Sequence, residues 1–247
     1  MIPDWQLPDG VDRGLHDYLN SAEMVGGYDA IMANSPLAQF DVQYCETWFP
    51  SPGSLVDLGC GTGRLGRYFT GKGFKVLGVD LSEEMLKAAR AAGNAGEFLH
   101  RSLLDESLWP GEPFDYAACL FSTLGMVIGA ENRLKVLKNA FVKLNPGGVF
   151  VLHVHNRHFT GLGIRGWFNG DLQMPQAYGG APLTLHHYSR GEALRMMKEV
   201  GFQILDVQAV GLNGPLNPKW LFPTLRAYGY LIAAKKPHSV ALGLGGE

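Results

Sequence analysis

The run Val56-Asp57-Leu58-Gly59-Cys60-Gly61-Thr62-Gly63-Arg64 holds the most specific chemical pattern in the chain. A short apolar stretch, Ser54–Leu58, ends on glycines at alternate positions, and a helix is predicted over Leu65–Thr70. With no Cβ atoms at 59, 61 and 63, a ligand can approach the backbone. The loop amides can then point at whatever lies across the helix N-terminus. A second apolar stretch, Lys75–Asp80, closes on a carboxylate able to accept two hydrogen bonds from a ribose diol. The two features together imply a nucleoside laid over one edge of a sheet. The bare dinucleotide string G-x-G-x-x-G also fits, from Gly61 to Gly66, so the string alone separates nothing. Asp57, two residues before the first glycine, is the added specification.

A second concentration of chemistry lies at and beyond the end of a strand predicted over Val149–Val154: His153, His155, Asn156, Arg157 and His158. Val151, His153 and His155 share one face by the two-residue period. His155 and His158 are the candidates for a base near neutral pH, against a structural role at the rim. A metal site from His153 and His155 with His186 and His187 needs a carboxylate ligand. None is spaced to complete it, so no metal is expected. Cys119, inside a strand, reads as core.

These residues need a scaffold, and the hydrophobic pattern supplies one. Strands are predicted at Ser54–Leu58, Lys75–Asp80, Phe98–Leu99, Phe114–Phe121, Val149–Val154, Gln203–Val210 and Ala227–Ala234. Helices alternate with them. Ser82 is an N-cap with Glu83 and Glu84 in the first turn, and Gly93 is the stop. Leu134, Leu137, Phe141 and Leu144 mark one helical face, broken by Asn145-Pro146-Gly147-Gly148. Ser189 and Glu192 have capping-box spacing for a helix stopping at Gly201. The pattern predicts an α/β fold with an open, mostly parallel, seven-stranded doubly wound sheet and helices on both faces. Ligands in such sheets bind beyond the carboxyl ends of the strands, which selects Leu58–Gly63, Asp80–Leu81, Phe121–Leu124 and His153–Arg157 as one mouth.

The expected organisation is an N-terminal helical cap (1–50), broken near Asn34-Ser35-Pro36, then a main domain (51–236) and a flexible tail (237–247). Within the domain, 156–188 reads as an aperiodic insertion with Trp167, Phe168, Met174, Tyr178 and several glycines. A second Pro/aromatic segment runs from Pro215 to Pro223 with Trp220 and Phe222.

The 247 residues include 33 glycines, about 13% against an ordinary ~7%, without a Gly-X-Y repeat. With 46% hydrophobic residues and a net charge of −2, the chain is neither collagen-like nor disordered. It has no long basic run, so no nucleic-acid partner is expected. No stretch suits a membrane span, and the opening MIPDWQLPDGVDR has no basic-then-apolar leader pattern. Cys45, Cys60 and Cys119 lack metal or redox spacing, which fits a reducing cytoplasm.

In order and spacing, residues 50–211 resemble the class I S-adenosylmethionine-dependent methyltransferases. Asp57, Gly59, Gly61 and Gly63 match the family's acidic-G-x-G-x-G motif, and Asp80 in LGVDLSEEML matches its second acidic position. FDYAACLFSTLG, LNPGGVFVLHV and YSRGEALRMMKEVGF match the strand-four, strand-five and closing-helix segments. The resemblance implies a Rossmann-like fold and S-adenosylmethionine as cofactor. Gly59, Gly61 and Gly63 would lie against its methionine and ribose, with Asp57 organising the loop and Cys60 and Arg64 beside it. Asp80 would hold the ribose diol and Leu81 would pack on adenine. The third family position falls on Ser102 in HRSLLD, so Ser102 and the Leu103 amide, or Asp105 after a register change, would read the adenine. Phe121 would flank the cofactor, and Tyr28-Asp29 resembles an aromatic lid segment.

The implied reaction is methyl transfer to a small-molecule O, N or C acceptor, with His155 or His158 as base or orienting group and 156–188 as a cover. Phe121-Ser122-Thr123-Leu124 lacks the Asn/Asp-Pro-Pro-aromatic motif used on bases and Gln, and Cys119 lacks the Pro-Cys context used on pyrimidine C5. A nicotinamide-dependent oxidoreductase is the alternative enzyme, without a recognisable catalytic Tyr-x-x-x-Lys set. A non-catalytic S-adenosylmethionine-binding module is the other.

Overall fold

The computed structural model describes residues 3–93, 96–105, 112–163, 165–168, 170–176, 180–217 and 222–238. The expectations for Tyr178, Trp220 and the tail from 239 onward lie outside the described residues. Along the chain run α1 (Arg13–Leu19), α2 (Ala22–Ala33), α3 (Pro36–Trp48), β1 (Ser54–Leu58), α4 (Arg64–Thr70), β2 (Lys75–Asp80), α5 (Glu83–Ala91) and β3 (Glu97–His100). There follow β4 (Phe114–Cys119), α6 (Thr123–Met126), α7 (Ala130–Val142), β5 (Leu144–His155), α8 (Arg165–Phe168), β6 (Asp171–Met174) and β7 (Leu183–His186). The remainder is α9 (Arg190–Val200), β8 (Gln203–Gly211), β9 (Gly214–Pro215), α10 (Pro223–Arg226) and β10 (Gly229–Lys235).

The main sheet has the order β3-β2-β1-β4-β5-β10-β8-β9. The first five are parallel neighbours, and β10 lies antiparallel between β5 and β8. Strand alternation divides the interior between two cores. Val56, Leu58, Ala117, Cys119, Leu152 and Val154 face α7 and α9 through Val136, Leu137, Ala140 and Met197. Leu55, Val76, Ala118, Leu120 and Val151 face α3 and α4 through Leu37, Tyr44, Cys45, Leu65 and Phe69. Strands buried on both sides must be apolar at nearly every position, which is why the carboxylate Asp57 stands out in β1.

The sheet has eight strands, where seven were expected. The extra strand, β9, is two residues long and folds back on Val210 and Gly211, too short to leave a periodic signal. A separate hairpin, β6–β7, forms inside the aperiodic insertion, from strands of four residues each. Two boundaries also move. Helix α7 ends at Val142, and Leu144 opens β5 instead of closing the helix; Asn145–Gly148 is carried within that strand, with a register shift opposite Phe114/Tyr116. Strand β4 stops at Cys119, because Phe121 and Ser122 take left-handed φ values of 51° and 62°. Such values in non-glycine residues cost energy and recur at functional edges. Ser82, Ser189 and Gly201 cap their helices as expected, Ser189 with Glu192 in a full capping box. No helix among the described residues is long and apolar enough to cross a membrane.

Candidate functional site

The glycine loop turns sharply from β1 into α4. Gly59, Gly61 and Gly63 have φ of 74°, 54° and 75°, values that glycine adopts without strain. The amides of Gly59 and Cys60 donate to the Val79 carbonyl at 2.8 and 3.2 Å, tying the loop to β2. At the end of β2, the Asp80 carboxylate accepts from the amides of Gly61 and Ser82, each at 2.8 Å. Burial pushes the Asp80 carboxyl up, opposed by the amides of Ser82, Gly61 and Leu81. Asp57 is 4% exposed, and burial lifts it to about 7 against the pull of Arg64. A Cβ on Gly59 would lie 2.3 Å from Cγ2 of Thr123, so α6 packs directly on the loop. On the other side, Tyr28 reaches within 3.5 Å of the corresponding point on Gly61.

Two adjoining cavities open at this edge. The first, about 760 Å³ counted out to solvent, is lined by Gly59, Gly61, Asp80, Leu81, Ser102 and Leu103 together with Tyr18 and Tyr28. The second, about 930 Å³ by the same measure, is lined by Asp57, Cys60, Arg64, Phe121 and His155, and by methionines and leucines of α2, α6 and β7. Tyr18, Tyr28, Gly59, Thr123 and Met126 border both. Gly63 borders neither and serves as the N-cap of α4. Asp105 also lines neither.

The structure separates the two candidate histidines. His158 lines neither cavity; its amide donates to Asn156 Oδ1 at 3.1 Å and its ring packs 5.6 Å from Trp167. His155 lines the second cavity, is 5% exposed, and has no hydrogen-bond partner on either ring nitrogen. Its ring lies among Phe121, His153, His187 and Tyr228. Burial, with His153 and His187 adding, holds its pKa well below the usual 6.5. It is therefore a neutral imidazole at pH 7.

Behind it, His153 Nδ1 lies 2.9 Å from Asp41 Oδ1, both residues fully buried. Arg64 stands 3.7 Å from the other Asp41 oxygen and donates to the Ala38 carbonyl. Asp41 was absent from the sequence reading, yet it was findable: it sits on the buried stripe of α3 with Leu37, Ala38, Tyr44 and Cys45. Tyr18 left no comparable signal, since α1 is only seven residues long.

The N-terminal helices and the insertion roof the site. Thr62 Oγ1 donates to Asp29 Oδ1 at 2.5 Å, docking α2 on the glycine loop. Leu183 and Leu185 of β7 line the second cavity, whereas Phe168, one of the aromatics expected there, is 85% exposed. The hairpin is laced to α1: Gln176 Nε2 donates to the Gly14 carbonyl at 2.8 Å and Thr184 Oγ1 to Asp12 Oδ2 at 2.5 Å. His186 bridges Asp171 at 2.6 Å and Glu192 at 2.9 Å, which makes it a strut of the cover. A Tyr-x-x-x-Lys string does occur, at Tyr68 and Lys72, but both side chains engage Glu46 and line neither cavity.

The profile of the methyltransferase domain family matches residues 34–207. The chain belongs to the S-adenosylmethionine-dependent methyltransferases, and S-adenosylmethionine is the family's cofactor. It is 28% identical over 193 residues to the ubiquinone biosynthesis O-methyltransferase of Idiomarina loihiensis, covering 75% of each chain. It is 30% identical over 157 residues to the dTDP-3-amino-3,4,6-trideoxy-alpha-D-glucopyranose N,N-dimethyltransferase of Streptomyces venezuelae, 64% of this chain and 63% of that one. With YqeM of Bacillus subtilis it shares 30% identity over 132 residues, 52% of this chain, and spans about half that protein's length (53%). Among solved structures, the Burkholderia thailandensis 1,6-didemethyltoxoflavin-N1-methyltransferase, with bound 1,6-didemethyltoxoflavin and S-adenosylhomocysteine, superposes with a TM-score of 0.62 at 18% identity. The match covers 94% of this chain and 93% of that chain.

Proposed function

We propose that the first cavity seats the adenosine of S-adenosylmethionine and the second receives a small-molecule acceptor. In this reading Asp80 holds the ribose diol, and Leu81, Ser102 and Leu103 enclose the adenine. Gly59, Gly61 and Cys60 present backbone to the ribose and methionine, and Gly63 sets the turn. Asp57 and Arg64 organise the loop, while Tyr28 and Phe121 close on the donor. The observation that carries the reading is the pair of adjoining cavities meeting at Gly59 and Thr123, at the carboxyl edge of the parallel strands. Methyl transfer from a sulfonium is an in-line displacement, so the protein's main task is to align acceptor oxygen, nitrogen or carbon with methyl and sulfur. His155 is the side chain placed to orient the acceptor or take its proton; His158, on the rim, is a weaker candidate. Residues 1–50 and 156–188 act as the roof, and the setting is cytoplasmic, with the three cysteines buried and free.

Titration calorimetry against S-adenosylmethionine, S-adenosylhomocysteine and NADH tests the assignment. Binding of both sulfur ligands without NADH binding is expected. Tight NADH binding with no response to either sulfur ligand would overturn it. A labelled-methyl assay over fractionated cell metabolites then identifies the acceptor and separates an enzyme from a cofactor-binding module.

A further inference from the structure

The second cavity has a composition that restricts its guest. Its wall is built from Met24, Met32, Leu120, Met126, Leu183 and Leu185, with Phe121 beside them. An ion placed there loses its hydration shell and needs a partner in exchange. Among the described residues of the lining, the cation is Arg64, and it is already engaged by the Ala38 carbonyl and by Asp41. A carboxylate or phosphate guest therefore finds no free counter-charge. The acid in the lining, Asp57, already faces the opposite charge of Arg64 in the same wall, so a guest ammonium competes with that guanidinium.

Among the buried side-chain polar atoms of the described residues in this wall, those of the His155 ring lack a partner. Both ring nitrogens of His155 are buried and unbonded, although the residue is 5% exposed. A buried polar atom left unpaired is costly, and native sites rarely tolerate one that nothing fills. Its neighbours do not fill it: Phe121 and Tyr228 present rings, and His187 Nδ1 is turned to the Leu185 carbonyl at 3.1 Å. His153, next on the same strand face, is turned with its Nδ1 to Asp41. His155 thus borders an apolar chamber with ring nitrogens that are unpaired and closed to solvent, and a guest hydroxyl pairs with one of them only by displacing what covers it.

Building on the function proposed above, the geometry points to an uncharged, largely apolar acceptor that carries a hydroxyl and donates it to a ring nitrogen of His155. In the transfer, the O–CH3 bond forms as the methyl–sulfur bond breaks, and the bonding pair stays on sulfur. The hydroxyl proton passes to the imidazole and from there to water. Charge is balanced, since the positive charge lost from sulfur leaves as that proton. A neutral imidazole suits this role over the whole range above pH 6.5, because burial and the adjacent His153 and His187 keep it unprotonated.

The test uses the full chain saturated with S-adenosylhomocysteine at pH 7.5 and three probes of one shape: 4-propylphenol, 4-propylbenzylamine and 4-propylbenzoate. Calorimetry gives affinities, and ¹⁵N-histidine NMR reports the ring nitrogens of His155. The phenol is expected to bind about tenfold or more tighter than either ion and to shift the His155 ring signals. His155→Leu is expected to weaken phenol binding about tenfold while leaving S-adenosylhomocysteine affinity within about twofold, which also certifies its fold. His155→Asn, which keeps a polar group, should fall between the two. Equal or tighter binding of the benzoate or the ammonium, phenol affinity indifferent to His155→Leu, or no phenol binding at millimolar concentration overturns this inference alone. Failure of S-adenosylhomocysteine to bind overturns the proposed function, and this inference with it.

Discussion

Asp80 and His155 close two strands of one sheet at the same edge, yet their surroundings are opposite. Each Asp80 oxygen already has a backbone amide at 2.8 Å, whereas neither ring nitrogen of His155 has a partner. The donor side is held in shape by the chain itself. On the proposed reading, the acceptor side leaves the His155 ring for the guest to pair. If the proposed assignment holds, the pre-organised half would give affinity for a fixed cofactor and the unpaired half selectivity, because the wrong guest would leave the imidazole unpaired.

The largest effect that can break this contrast is at Asp80. Asp80→Ala removes the carboxylate and its bonds to the Gly61 amide of the loop and the Ser82 amide at the start of α5, and S-adenosylhomocysteine affinity is expected to fall about 100-fold or more by calorimetry. Unchanged affinity would remove Asp80 from its role. Next is Gly59→Ala, which forces a side chain into φ of 74° and within 2.3 Å of Thr123. A loss of about 2–3 kcal/mol in urea unfolding is expected, and the added change Thr123→Gly should recover only the steric part.

A third comparison is in pH, and here the two sides have opposite signs. His155 is held below 6.5 in the folded chain, so between its folded value and 6.5 the unfolded state binds the proton first. Stability from this group is present above pH 6.5 and lost as pH falls below it. Asp57 rises from 3.8 to about 7 on folding, so it favours the folded state below pH 4 and loses that contribution as pH climbs through 7. Asp57→Asn is expected to raise ligand-free stability at pH 8 by on the order of 2 kcal/mol while weakening cofactor binding. His155→Leu should flatten the acid limb alone; thermal melts of both variants from pH 5 to 8 read out the crossing. The smallest effect is in the roof. Thr184→Val, which cuts one bond from the hairpin to α1, should cost about 0.5–1.5 kcal/mol and speed hydrogen exchange in β6–β7.

The same contrast explains what could be read in advance. The donor side is encoded locally: glycines where φ must be positive, a carboxylate after a strand, a serine before a helix, all within the span from Asp57 to Ser82. Gly59, Gly61 and Asp80 line the first cavity, Gly63 turns the loop into α4, and Ser82 caps α5. The second cavity is assembled from α1, α2, β1, the glycine loop, α4, α6, β5 and β7, and no short window of sequence holds it. His155 was legible because strand period put it on a face with Val151 and His153. Its separation from His158 depended on where β5 ends, and Asn156 turns the chain there by pairing with Tyr188. The part that the leucines of β7 play at the second cavity was illegible for a related reason. Leu183 and Leu185 project inward only because β6 and β7 pair, and four-residue strands leave too little alternation to recognise.

Gly14 in α1 leaves no room for a side chain, since a Cβ there would sit 2.0 Å from the Pro182 carbonyl of the hairpin. That close seat joins the first helix to β7, and Tyr18, one turn further on, borders both cavities. Helix α1 is therefore a wall common to both chambers. The contact that seats Gly14 on the hairpin thus fixes one border of each chamber at once.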